Sequence, residues 1–359
     1  MNFESDPGIV QAIAKVAPGG GLRSGLDRIL QAHMGALLVL GDTPEVLSIC
    51  SGGFLVDAEF SPQRLYELAK MDGAIVLSSD GMRLARANVH LVPDPRLPTT
   101  ETGTRHRTAE RVAITVDVPV VAVSEELGVI TVYRGEQKRQ LQPIVEVWAR
   151  ANQAMSTLER YKERLDRVLT KLSELERTSN TTFRDVVLVL QRAELVRRIS
   201  EEINWYLIEL GSDGRMLSLQ LDELYLDIRG DYDSVITDFL GPCTNEDSLE
   251  IRNYLASLEM DELLDSRVVA EGVSKRARCV ELAESMSIDA QDRLKVMLTS
   301  RGERVLSMVP RLPKSVQDTV LANFSNLREL NDVSEFELSK IDGVGPEWAK
   351  SIKEYIAEE

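Results

Sequence analysis

Ala36-Leu37-Leu38-Val39-Leu40, set between Gly35 and Gly41, is an unbroken apolar run of strand length. A strand with no polar face has two surfaces to hide, so it belongs inside a sheet covered on both sides. A second run of this kind, Ala74 to Leu77, follows Asp72-Gly73. Helical signals surround both. Leu22 to Ala32 is amphipathic behind the Gly19-Gly20-Gly21 turn, and Ser61-Pro62 opens a helix through Ala69, with Ser as N-cap and Pro in the first position. Further strands are expected at Val46 to Cys50 after the Gly41-Asp42-Thr43-Pro44 turn, at Arg83 to Val92 beyond Asp80-Gly81, and at Val118 to Val123 and Gly128 to Tyr133. Hairpin connections imply antiparallel neighbours. Residues 1–140 are therefore expected to form an α/β domain with a mixed sheet.

Inside that domain, Gly103-Thr104-Arg105-His106-Arg107-Thr108 puts two arginines and a histidine, flanked by threonines, behind a loop rich in Pro and Thr. A polar loop that ends in Thr and opens into a helical pattern is a helix start. Its free amides and the helix dipole favour an anion, and each Arg adds a planar fork that grips phosphate at two points. A capped helix start with two surface arginines would look the same. Nucleotide chemistry also needs a carboxylate for a divalent cation. Asp72-Gly73-Ala74 offers one where a helix ends and a buried strand begins. Asp72 suits Mg²⁺ or Mn²⁺, which prefer oxygen ligands, and Gly73 leaves room for a base or ribose to pass. An ordinary Asp-Gly turn is the plain alternative.

Composition bounds the rest. The 359 residues allow two or three domains, and 43% hydrophobic content with only 5% aromatic residues implies aliphatic cores. A net charge of −16 argues against broad adhesion to nucleic acid or anionic membrane, so any DNA contact must be local. Cys50, Cys243 and Cys279 are scattered, which excludes a disulfide frame and a cysteine zinc site. Met1 to Val16 carries Glu4, Asp6 and Pro7 without a long apolar run, so no signal peptide is expected. No window suits a membrane span, and a cytoplasmic location follows as the expectation. His33 is read as structural and His90 as an outward strand residue; no histidine pair has metal-ligand spacing.

Residues 141–300 read as an all-helical spine. Leu158, Tyr161, Leu165, Val168, Leu172 and Leu175 step by three and four, and a second helix runs from Arg184 to Leu210 before Gly211. An antiparallel helical pair is expected, with Arg229-Gly230-Asp231-Tyr232-Asp233 as a turn. In residues 301–359, Ile341-Asp342-Gly343-Val344-Gly345-Pro346 lies between helical patterns at Ser334 to Ile341 and Glu347 to Ile356. This is a helix-hairpin-helix pattern. Its glycines let backbone approach a phosphate, so Gly343, Val344 and Gly345 are candidate DNA contacts, with Lys314, Lys350 and Lys353 as phosphate partners. Pro310-Arg311-Leu312-Pro313 before Lys314 to Phe324 reads as a degenerate first copy. Eight basic against eleven acidic residues leave this part at −3, which also fits a protein-interaction module.

Taken together, Asp72-Gly73-Ala74 and Gly103 to Thr108 resemble the two ATP-site motifs of the diadenylate cyclase domain. Gly35 to Gly41, Ser51-Gly52-Gly53-Phe54 and Ser124-Glu125-Glu126 match as well. The order of cyclase, helical spine and hairpin end is similar to that of the DNA integrity scanning family. The resemblance implies condensation of two ATP into cyclic di-3′,5′-AMP and two pyrophosphates, with paired sites facing each other and an octamer overall. It implies that Asp72, Arg105, His106 and Arg107 are catalytic and that Asp72 and Glu125 bind the metal. ATP would be bound by Gly73, Ala74, Leu91, Thr104 to Thr108 and Ser124. It further implies that branched DNA on the C-terminal module suppresses cyclisation. The competing reading is a non-enzymatic DNA repair adaptor that uses the hairpin module. A P-loop ATPase is excluded because no Gly-x-x-x-x-Gly-Lys-Ser/Thr occurs.

Overall fold

The computed structural model describes residues 7–241 and 245–357; Cys243 and the residues before Pro7, including Glu4 and Asp6, lie outside the described residues. The chain forms two compact units. One comprises residues up to Met155 together with Glu201–Leu221, and the other comprises Ser156–Ser200 with Asp222 onward.

The first unit runs α1 (Pro7–Val16), α2 (Gly21–Gln31), β1 (Ala36–Leu40), α3 (Pro44–Ser48), β2 (Cys50–Ser51), β3 (Phe54–Glu59), α4 (Pro62–Leu68), β4 (Ala74–Leu77), β5 (Arg83–Leu91), α5 (Thr104–Val116), β6 (Val120–Val123), β7 (Ile130–Arg134) and β8 (Gln137–Leu141). The strands make one sheet in the order β2-β5-β4-β1-β6-β7-β8, with β3 also on β5. Only β1 and β4 run parallel; every other pair is antiparallel, so the sheet is mixed. The apolar run Ala36–Leu40 is buried throughout. Ala36, Leu38 and Leu40 face a core shared with α1, α2 and α4, while Leu37 and Val39 face Ala109, Val112 and Ala113 of α5. Each fully buried Leu or Val contributes roughly 1.5–3 kcal/mol of apolar transfer, which is what holds the two helical layers on the sheet.

Three local expectations are corrected. Val46 to Cys50 is not a strand. Thr43 caps Val46 N–H through its hydroxyl and Pro44 starts a short helix, so strand pairing begins only at Cys50 opposite Leu91. Strands β3 and β8 were not expected. Arg229 to Asp233 is not a turn but lies within α8. His33 sits exposed in the turn after α2 with φ +52, and His90 is exposed on β5.

The helical part contains α6 (Ile144–Arg177), α7 (Phe183–Leu210), α8 (Arg215–Phe239), α9 (Asn245–Ser257), α10 (Met260–Leu264), α11 (Ser266–Ser274), α12 (Val280–Glu284) and α13 (Ala290–Arg293). Leu158, Leu165 and Leu172 of the expected seam are fully buried. The chain continues with α14 (Glu303–Met308), α15 (Lys314–Asn323), α16 (Leu327–Asp332), α17 (Glu335–Ser339) and α18 (Gly345–Ala357). These last five share a core that includes Leu306, Val320, Leu338, Val344 and Ile352. Among the described residues, no helix is long and apolar enough to cross a membrane.

Candidate nucleotide site

The sheet register carries the two motifs to one edge. Parallel pairing of Leu38 with Ile75 puts the starts of β1 and β4 side by side. Antiparallel pairing of Ala36 with Val123 puts the end of β6 there too, and Ala74 opposite Val89 adds the end of β5. Gly35, Asp72-Gly73 and Ser124 therefore share one end of the sheet, with β4 and β6 about 10 Å apart across β1.

Helix α5 starts at that same end. Its N-cap, Gly103, has an extended backbone and makes no side-chain cap bond. The amides of Thr104, Arg105 and His106 have no carbonyl within the helix, which leaves an anion-binding helix start. The Arg105 guanidinium lies over Gly35, where a Cβ would stand 2.8 Å from Arg105 Cζ, and Arg105 Nη1 is 3.7 Å from Glu125 Oε2. Gly35 is thus a position at which a side chain would displace the cationic group. Arg107 is exposed and donates to the Thr102 carbonyl at 3.2 Å, and the Thr108 hydroxyl donates to the Thr104 carbonyl at 2.9 Å. His106 is half-buried. Burial lowers its pKa; Glu101 opposes that shift, and the charges of Arg105 and Lys138 add to it.

Asp72 is exposed. Its backbone carbonyl accepts from Asn88 Nδ2 at 2.7 Å. Asn88 has φ +56 and lies where the β4–β5 register slips, so a bulge in β5 shapes the Asp72 turn. Gly73 has φ +88, and a Cβ there would sit 2.9 Å from the Asn88 carbonyl carbon and from Val89 O. On the side where a Cβ would point, the β5 backbone leaves Gly73 no room for a side chain. The glycine is required by that close approach. Ala74 and Leu91 are buried in the core on the α5 side of the sheet. The Ser124 hydroxyl accepts from Leu127 N–H at 3.1 Å and pins the turn into β7.

Among the described residues, no three His, Cys, Asp or Glu side chains form a metal cage. One exposed carboxylate, Asp72, is nevertheless a donor set that fits Mg²⁺, which takes one or two carboxylates and completes its shell with water and substrate phosphate. A cavity of about 520 Å³ flanks the α5 start and is lined by Gly103, His106, Ser124, Thr131, Lys138 and Gln140, among others. Glu101, Tyr133 and Lys138 lie against this site and carried no sequence signal.

In the C-terminal helices, Gly343 and Gly345 take φ +90 and +65, and no atom outside the turn crowds Gly345. Val344 between them is buried in the local core. Lys314 pairs with Glu303 at 3.2 Å, and Lys350 pairs with Glu354 at 3.6 Å. Lys353 is turned inward. Its Nζ donates to the carbonyls of Leu330 at 2.6 Å and Asn331 at 3.1 Å, capping the end of α16. Of the three lysines, Lys314 and Lys350 are the exposed ones.

Residues 23–138 match the family described as DisA bacterial checkpoint controller nucleotide-binding, and residues 141–278 match the DisA bacterial checkpoint controller linker region. The chain is 45% identical to the DNA integrity scanning protein DisA of Frankia alni over 96% of this chain and 93% of that protein. It is 44% identical to the protein of the same name from Streptomyces coelicolor, over 98% of this chain and 91% of that one. Among solved structures, DacA from Staphylococcus aureus aligns at 25% identity over 37% of this chain and 85% of that chain, with a TM-score of 0.28.

Proposed function

The chain belongs to the family of the DNA integrity scanning protein DisA, and from that premise we propose that it is a diadenylate cyclase. Two ATP molecules condense to cyclic di-3′,5′-AMP. Each ribose 3′-oxygen bonds to the α-phosphorus of the other nucleotide as the bond from that phosphorus to the bridging oxygen breaks, and two pyrophosphates leave. The observation that supports this best is the convergence of Asp72-Gly73 and the α5 start on one edge of the sheet. Each site holds one nucleotide, so the reaction needs two copies of the chain facing each other across a two-fold axis.

The roles are carried over from the family's motifs, residue by residue. The α5 amides, Thr104, Arg105, His106, Arg107 and Thr108 hold the triphosphate and steady the charge that grows on the leaving pyrophosphate. Asp72, with Glu125 as a second carboxylate, would hold Mg²⁺ or Mn²⁺. The ion, when bound, offsets phosphate charge and acidifies the 3′-hydroxyl. Ser124, at the same end of the sheet, lines the nucleotide. The hairpin around Gly343, Val344 and Gly345, with Lys314 and Lys350, binds branched DNA and lowers cyclase output within an octamer.

Incubation with ATP and Mn²⁺, followed by mass analysis, tests the reading. Wild type yields the cyclic dinucleotide, and Asp72→Asn loses about 10²–10³-fold of that rate. Wild-type protein that makes no product yet still binds junction DNA would instead be a non-enzymatic adaptor.

A further inference from the structure

The N-cap of α5 makes no side-chain bond, so something else must fix where that helix begins. A clamp of side chains from β7, β8 and α5 does so. Lys138 Nζ donates to Glu101 Oε1 at 2.8 Å and to Thr100 Oγ1 at 2.7 Å. Tyr133 donates its hydroxyl to the same Glu101 oxygen at 3.1 Å. On the other side, Glu110 of α5 accepts from Thr100 N–H at 3.1 Å and from the Thr99 hydroxyl. The segment 99–102 that delivers the chain into Gly103 is thus held from both flanks. Tyr133 also reaches the site directly. Its ring lies edge-on to His106, with centroids 6.4 Å apart at 68°. Tyr133 is 1% exposed, and burial raises its pKa far enough that the hydroxyl stays a donor.

We propose that Tyr133, Glu101 and Lys138 are positioning residues that set the α5 start and the His106 ring against the phosphates of the bound nucleotide. The proposal rests on the cyclase reading. None of the three needs to touch the reacting atoms. They define where the donors stand, and a displacement of about 1 Å at such donors is felt in the rate of the chemical step. A plain binding role would appear in KM, and a plain structural role would appear only in stability.

The test uses the full chain with ATP and Mn²⁺, reading kcat and KM from cyclic dinucleotide production alongside thermal melting. Tyr133→Phe removes one oxygen and keeps the ring. It is expected to lower kcat about tenfold while KM stays within about twofold. Lys138→Gln, at an exposed position on β8, is expected to do the same, and Lys138→Arg to recover most of the rate because it keeps the charge and its donors. If the Phe variant does not fold, the Lys138 pair decides. Full kcat in Tyr133→Phe and Lys138→Gln overturns the proposal and leaves the cyclase reading standing. So does a KM that rises tenfold at unchanged kcat. Wild-type protein that makes no cyclic dinucleotide sinks both.

Discussion

Two glutamates in this chain are held by similar parts and behave in opposite ways. Glu101 is bonded by Lys138 and the Tyr133 hydroxyl; Glu176 is bonded by Arg304 and the Ser300 hydroxyl. Water makes the difference. The Glu101 and Lys138 side chains are 22% and 41% exposed, whereas those of Glu176 and Arg304 are 0% and 2% exposed. Partial burial pushes Glu101 up, but the bonds from Lys138 and Tyr133 outweigh it, and its carboxyl sits below the usual range. At Glu176, burial and the neighbouring Asp238 charge win over Arg304, and the pKa is pushed up to about 7. Burial likewise raises Asp238 to about 6, although Arg304 and Glu303 donate backbone N–H bonds to it. The exposed cluster is a charged clamp that can be adjusted cheaply. The buried one holds a proton into the neutral range and ties the end of α6 to the end of α8 and the start of α14.

The largest expected effect breaks the buried cluster. Arg304→Met leaves two carboxyls in an apolar site without their cation, and a loss of about 3–5 kcal/mol is expected in urea unfolding. A loss below about 1 kcal/mol would mean that the guanidinium is dispensable and that burial does not separate the two clusters. Acid–base linkage gives the next effect. Below the ordinary carboxyl pKa values, Glu176 and Asp238 are neutral in both states. As pH rises, the unfolded chain releases their protons first and the native state releases them only near pH 6–7. Their contribution is therefore greatest at acid pH and is lost as pH climbs through about 4–7, at about 1.4 kcal/mol per pH unit for each proton retained. Glu176→Gln stays neutral, so wild type should lose stability steadily relative to the variant across that window. A pH-independent difference would show that Glu176 is already ionised at the acid end.

What could be read in advance was local. The Ala36–Leu40 run and the Ser61-Pro62 cap announce themselves within a few residues, and both appear as expected. Thr43-Pro44 is the same kind of cap, and it overrode the strand propensity of Val46 to Cys50. Gln137–Leu141 is an edge strand with one buried residue, so it shows no apolar alternation. The candidate site divides in the same way. Asp72 and Gly103 to Thr108 carry their chemistry in consecutive residues. Tyr133 and Lys138 become neighbours only through the β7–β8 register, in which they are direct partners. Glu176 and Arg304 meet across 128 residues of chain. Lys353 reads as a surface cation until α16 places two carbonyls against it.

The smallest expected effect sharpens the comparison from the other side. Lys138→Gln removes a partly exposed ammonium whose pairing with Glu101 is screened by water, so unfolding should shift by less than about 1 kcal/mol. Tyr133 still donates to Glu101, and Glu110 still holds the segment through Thr99 and Thr100. The same substitution that slows turnover should therefore leave the denaturation midpoint nearly in place, the reverse of Arg304→Met. Raising the salt concentration should narrow even this small gap, because screening weakens the pair already in wild type. A loss above about 2 kcal/mol, insensitive to salt, would make Lys138 a brace of the same kind as Arg304. The exposed clamp would then be a fold element first and a positioning device second.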